Sequence, residues 1–216
     1  MRSKVTISVL MAVYNTPFEW VKRALDSVMV QDFKDFELLV IDDGSNLGLS
    51  QQIIGYCEAH EEKISYIRCK NVGQSIAVNR AVHFAQGEYI TIIDSDDEYK
   101  PNHLSACFKE MTHADLISSL TETVVSSLED YFVADKHDLK KNIHVDDCIL
   151  FATLFGKKEV FKSIHFENRY SADSFFYENA SKKYRVKKLE SRTYIYYRNI
   201  PDSITARSKQ TRLPNP

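Results

Sequence analysis

"YITIIDSDDEYKP", residues 89–101, runs a set of apolar, β-prone side chains straight into Asp94, Ser95, Asp96, Asp97 and Glu98. Like charges this close repel, and carboxylates taken out of water need a cation or hydrogen-bond donors. The residues alone leave two readings open. One is a polar turn ahead of a helix beginning at Pro101, with Asp97 and Glu98 doing no more than capping it. The other is a seat for something positive: clustered carboxylates are hard-oxygen ligands that suit Mg2+ or Mn2+, with phosphate oxygens filling the remaining positions.

Outward from that stretch, strand and helix signals alternate. Residues 5–15, "VTISVLMAVYN", read as a buried strand. Thr16 and Pro17 then fit the cap and first position of a helix carrying Phe18, Val21, Leu25, Val28 and Met29 at helical spacing. "FELLVIDDGS", residues 36–45, is a second buried strand ending in acids and glycine. A helix over 49–60, a strand over 64–69 and a helix over 75–85 follow, with Gly87 as the expected helix stop. Continuous apolar strands separated by amphipathic helices predict an α/β fold with a mostly parallel central sheet covered on both faces. Ligands of such sheets bind beyond the carboxyl ends of the strands, where Asn15, Asp42, Asp43 and the acids at 94–98 all fall. The later chain is less regular. Helices near 101–111, 148–154 and 172–183 and strands near 114–119 and 193–198 are expected, and 120–147 gives no clear signal.

The totals bound the function. The 216 residues carry a formal net charge of −2, so the chain does not advertise nucleic-acid binding. Residues 182–212 hold ten Lys/Arg and two acids, either a solvated face with a basic tail or a surface for anionic partners. Cys57, Cys69, Cys107 and Cys148 are too scattered for a zinc knuckle, and no secretory leader is evident, so reduced thiols in the cytoplasm are expected. No apolar run is long enough to cross a membrane. A dinucleotide fingerprint, a phosphate-binding P-loop and a nucleophile elbow are all missing from the sequence.

Five segments in order resemble glycosyltransferase family 2: "SVLMAVYN", "FELLVIDDGS", "NVGQSIAVNRAVHFAQGEYITIIDSDDEYKPNHL", "ENRYSADSFF" and "YIYYRNIPDSIT". The resemblance implies a GT-A, Rossmann-like domain over 1–205. Residues 1–100 would bind the nucleotide sugar, a smaller acceptor-side region would span 101–205, and 206–216 would be a tail or linker. It implies an inverting, metal-dependent transfer from a nucleotide-diphospho sugar, with UDP the expected nucleotide and Mn2+ or Mg2+ the ion. The acceptor would be a saccharide or lipid-linked glycan in bacterial surface polysaccharide synthesis. It would work in the cytoplasm, with the 182–212 stretch a candidate peripheral contact to the inner face of the membrane.

By the same resemblance Ala12, Tyr14, Asn15, Asp43, Asn79, Asp94 and Ser95 would line the nucleotide site. Asp96 would ligate the metal, and Asp173 would be the general base. Ala12 stands where the family usually has Pro, Ala172 where it has Glu, and Val78 and Ala81 where many members carry Arg and Gly. Lys70, or a basic residue near Arg198, is the candidate replacement for the phosphate contact. Asp146, Asp147 and Glu167 are the alternatives to Asp173, which could also simply cap its helix. His144 with Asp146 is a weaker metal-ligand pair. Trp20 reads as packing, and Tyr170 and Tyr177 as packing or acceptor stacking. Two rivals stand beside this reading. A sugar nucleotidyltransferase would need a Gly-rich basic loop after the first strand, which "AVYNTPFEW" lacks. A catalytically degenerate GT-A domain would bind a nucleotide sugar or a partner without transfer.

Overall fold

A computed structural model describes residues 5–138 and 140–198. The first half follows the expected alternation: β1 (Ile7–Val13), α1 (Phe18–Met29), β2 (Phe36–Asp42), α2 (Leu47–Glu58), β3 (Ile64–Arg68), α3 (Gln74–Phe84) and β4 (Tyr89–Ile92). The second half holds β5 (Glu98–Tyr99), α4 (His103–Lys109), β6 (Leu116–Val124), β7 (Phe132–Ala134), β8 (Asn142–His144), β9 (Leu154–Lys157), α5 (Lys158–Ser163), α6 (Ala172–Ser181) and β10 (Val186–Tyr197).

Eight strands form one sheet in the order β3-β2-β1-β4-β9-β6-β10-β5, and β7 pairs with β8 in a separate hairpin. β3, β2, β1 and β4 are mutually parallel. β9 runs antiparallel between β4 and β6, β10 lies parallel to β6, and β5 closes the edge antiparallel to β10. Alternation along β1 sends Ile7, Val9, Met11 and Val13 to one face, against Val21, Leu25 and Val28 of α1 and Ile53 of α2. Leu10 goes to the other, with Ala77, Ala81 and Val82 of α3, Phe161 of α5 and Phe176 of α6. Burial on both faces is why these strands read as unbroken apolar runs.

The structure revises several local expectations. α1 has no side-chain cap, and Pro17 precedes its first residue. Thr16 instead shares a hydrogen bond with Ser95, Oγ1 to Oγ at 2.7 Å. Gly87 is not a helix stop, since α3 ends at Phe84 with Ala85 as its cap. A Cβ there would lie 2.5 Å from the Ser8 nitrogen, so glycine is demanded by close approach of two backbones. Where a helix was expected over 148–154 there is a short 3-10 turn at Phe151–Thr153 and then β9. β10 starts at Val186, well before the expected 193. Among the described residues no helix is long and apolar enough to cross a membrane. The expected tail at 206–216 and the end of the basic stretch lie outside the described residues.

Candidate active site

Three strand ends are stitched together at the carboxyl edge of the sheet. Asn15, at φ 52°, follows β1. Its N–H donates to Ser45 Oγ at 3.0 Å, and its Oδ1 accepts the Asn46 N–H at 2.9 Å. Thr16 reaches across to Ser95, beyond β4. The turn after β2 depends on Gly44, at φ 83°, where a Cβ would stand 2.8 Å from the Asn71 nitrogen. That approach lets Asp43 accept the N–H groups of Val72 at 2.9 Å and Gly73 at 2.8 Å. The next residue, Gln74, donates its amide to Asp94 Oδ1 at 2.5 Å. The 71–74 segment therefore links the Asp42–Asp43 turn to the Asp94–Glu98 turn.

The acids of the second turn separate into distinct roles. Asp97 is 1% exposed, takes the Tyr194 hydroxyl at 2.7 Å and the Tyr197 N–H at 2.8 Å, and is no helix cap. Glu98 lies in β5, pairs with Arg23 at 3.1 Å and accepts the Tyr197 hydroxyl. Asp94 and Asp96 are half-buried with fewer donors. Burial, reinforced by the charges of Asp96 and Asp173, pushes Asp94 up to about 7. Asp96 is also raised by burial, against the opposing charge of Arg23. The excess negative charge fits a divalent cation. Among the described residues no group of three His, Cys, Asp or Glu side chains could hold one. Asp96 with Asp94 would thus be the protein's share of a coordination shell completed by substrate phosphates and water.

Asp173 belongs to the same cluster, since its charge acts on Asp94. It does not cap its helix: Ser171, at φ 56°, holds that position, and Asp173 lies in the first turn, accepting the Ser174 N–H at 2.7 Å. Burial raises it to about 6. Of the alternatives, Asp146 and Glu167 are engaged elsewhere and Asp147 is exposed. Arg192 holds both oxygens of Asp146, at 2.9 and 2.6 Å, and keeps it below the usual carboxylate range. Glu167 is paired with Arg169 at 3.2 Å. His144 Nδ1 accepts the Asp146 N–H in a short turn.

Asn79, expected at the nucleotide, has its amide engaged at both ends by the backbone of Phe166, at 2.8 and 3.0 Å. Tyr14 is exposed and Ala12 half-buried beside the site's edge. Lys70 is exposed, and Arg198 is buried, donating to the Phe132 carbonyl at 3.3 Å. Tyr170 hydrogen-bonds the Ala134 carbonyl. Much of the described basic stretch is neutralised: Arg185 pairs with Asp115, Lys187 with Glu110 and Arg192 with Asp146. Reading the sequence missed Gln74, Arg23, Tyr194 and Tyr197. Gln74 follows directly on "NVG", at the start of α3, which was the one local sign available.

The sequence profile described as glycosyl transferase family 2 matches residues 8–142, 135 of the 216 residues. The chain belongs to glycosyl transferase family 2. Among its family relatives, an uncharacterised glycosyltransferase of Methanocaldococcus jannaschii is 27% identical over 175 residues, 77% of this chain and 60% of that protein. The putative colanic acid biosynthesis glycosyl transferase WcaA of Escherichia coli is 36% identical over 125 residues, 55% of this chain and 44% of its own length. This family member thus spans less than two thirds of those relatives. Its GT-A fold is shared with S. aureus TarS 1-349 in complex with UDP-GlcNAc (TM-score 0.71, 21% identity, 94% of this chain and 61% of that one). It is shared equally with the Pyrobaculum calidifontis mannosyltransferase PcManGT in complex with GDP-Man and Mn2+ (TM-score 0.70, 17% identity, 94% and 59%).

Proposed function

We propose that this chain carries the donor site and catalytic base of an inverting, divalent-metal-dependent glycosyltransferase. It takes a sugar from a nucleotide-diphospho sugar, UDP-linked, to a saccharide or lipid-linked glycan of a surface polysaccharide. The observation that carries the reading is that Asp94, beyond β4, feels the charges of both Asp96 beside it and Asp173 from the distant α6. Relatives named for colanic acid and succinoglycan biosynthesis support the pathway class. Neighbours solved with UDP-GlcNAc and with GDP-Man and Mn2+ support the donor class and the ion.

The nucleotide would lie along the loops after β1 and β2, near Tyr14, Asn15 and the Asp43 turn. Asn79, already bonded to Phe166, is left out of that contact set. Asp96, with Asp94 beside it, would hold Mn2+ or Mg2+. Such an ion neutralises charge that develops on a diphosphate leaving group. Asp173 then takes the proton of the acceptor hydroxyl as that oxygen attacks the anomeric carbon from the face opposite the diphosphate. A carboxyl raised to about 6 is ionised near neutral pH and still basic enough for the task.

The test is Mn2+-dependent release of UDP from UDP-sugars, with and without glycan acceptors. Asp173→Asn should lower turnover about 10²- to 10⁴-fold while UDP-sugar binding persists. In the wild type, kcat/KM should fall as pH drops below about 6, where Asp173 becomes protonated. Absence of turnover with every donor, together with unaltered donor binding in the Asp173 variant, would assign the chain to the binding-only class instead.

A further inference from the structure

The turn that presents Asp96 is held from outside its own segment. Tyr194, on β10, is 1% exposed, and its hydroxyl occupies a junction. It donates to Asp97 Oδ2 at 2.7 Å and accepts the Asp94 N–H at 3.2 Å. The backbone of Tyr197 supplies the other Asp97 oxygen at 2.8 Å. From the opposite side Arg23 of α1 donates to the Asp96 carbonyl and pairs with Glu98 at 3.1 Å. Its guanidinium also lies over the Tyr197 ring at 3.8 Å. The backbone at Asp94 and Asp96 is thus fixed at both ends of the metal-facing turn.

A bulge puts β10 in register for this. Leu189 pairs with Ser119 and Tyr194 with Thr121, so β10 uses residues 190–193 where β6 uses Leu120 alone. The insertion re-aims the strand, as bulges do beside functional sites. It brings Tyr194 opposite Tyr99, whose ring meets it edge-on at 5.6 Å. Tyr99 is itself stacked on the buried His103 at 3.9 Å, and the His103 ring shares a hydrogen bond with Thr193 inside the bulge at 2.8 Å. The Asp97 carboxyl lies at the bottom of the turn, with a phenol and an N–H directed at its two oxygens. That arrangement locks a backbone rather than binding a ligand.

We propose that Tyr194 and Arg23 are positioning residues for the cation, setting the direction from which Asp96 meets a divalent ion. The inference rests on the metal reading above. Ligand carboxylates held by outer contacts lose less freedom on binding, and removing such contacts characteristically costs 10- to 100-fold in metal affinity. Tyr197 provides the contrast, because its hydroxyl reaches only Glu98 among the acids of the turn.

The experiment is a Mn2+ titration followed by electron paramagnetic resonance of free Mn2+, in the presence of UDP and without acceptor, so that no turnover is read. The proteins are wild type, Tyr194→Phe, Tyr197→Phe and Arg23→Gln, each held well below its own melting temperature. Tyr194→Phe should weaken Mn2+ at least about tenfold and Arg23→Gln severalfold, with Tyr197→Phe within about twofold of wild type. In kinetics Tyr194→Phe should raise the Mn2+ concentration for half-maximal rate while donor KM at saturating Mn2+ stays within about twofold. Wild-type Mn2+ affinity in a folded Tyr194→Phe protein, even one with a lowered melting temperature, overturns the proposal and leaves the tyrosine a packing residue. Should Tyr194→Phe not fold, unchanged Mn2+ affinity in Arg23→Gln overturns it. A wild-type protein that binds UDP and no Mn2+ removes the metal reading itself, a result distinct from either.

Discussion

Two acidic turns lie a few residues' reach apart, one after β2 and one after β4, and they treat their carboxylates in opposite ways. Asp42 is fully buried and surrounded by donors: the Ser45 N–H at 2.7 Å, the hydroxyls of Ser50 and Tyr66 at 2.5 Å, and Arg68 at 3.8 Å. These donors outweigh burial and hold it below the usual carboxylate range. Asp94 has one side-chain donor, Gln74, and two acidic neighbours, and is held far above that range. Burial pushes both carboxyls up; at Asp42 the donors outweigh it, and at Asp94 the acidic neighbours add to it, which separates an acid that builds the fold from one placed at the proposed cation site.

The sharpest way to break this comparison is to neutralise one acid from each turn. Asp96→Asn should reduce metal-dependent transfer roughly a hundredfold or more, since such an ion supplies several kcal/mol of charge stabilisation. The same change relieves repulsion on Asp94 and should leave the ligand-free protein at least as stable as wild type by thermal melting. Asp42→Asn should behave in reverse. It replaces an acceptor of several bonds by an amide whose NH2 faces donors, and should cost roughly 1–3 kcal/mol in a urea titration. Loss of stability in the first variant, or none in the second, would show that the two turns are not divided by donor supply.

That division was only partly legible in the sequence. β1 and β2 are buried on both faces, and continuous apolar runs announce them. β9 is four residues containing Gly156, and its burial comes from β4 and β6 on either side rather than from any period of its own. α5 has six residues, too few for a 3.6-residue repeat to register. β10 opens with exposed Lys187 and Lys188 and runs through a bulge that begins at exposed Glu190, and so hides until Tyr194. Asp94 and Asp96 could be placed by position and resemblance. That Asp97 is structural could not, because its partners lie 97 and 100 residues further along the chain.

Acidity gives a second, smaller contrast. Asp42 has a folded-state pKa below its unfolded value, so its stabilisation is complete above that value and is lost as pH falls through the folded one. Asp94 and Asp173, at about 7 and about 6, have the opposite sign. Their contribution is complete below about 4 and is lost as pH rises toward 7. The ligand-free protein should therefore melt at a higher temperature near pH 5 than near pH 7.5, and Mn2+ with UDP should raise the melting temperature more at the higher pH. Asp94→Asn should flatten that slope, and an unchanged slope would detach it from Asp94.

The smallest effect asks how many of the Asp42 donors matter. Tyr66→Phe removes the hydroxyl bonded to Asp42 Oδ2 while keeping the ring against the core. Ser45 and Ser50 remain, so the carboxylate loses one donor and is not orphaned. The expected loss is about 1 kcal/mol at neutral pH by urea titration, the net worth of one such bond. The deficit should shrink below about pH 4, because protonation of Asp42 weakens the charge-assisted bond that Tyr66 supplies. Transfer activity should be unchanged at a temperature where both proteins are folded, since Tyr66 serves the turn outside the proposed cation site. A fall in Mn2+ affinity in Tyr66→Phe would mean that the two turns are coupled through the 71–74 segment, with strain at Asp42 passing through Asp43 and Gln74 to Asp94.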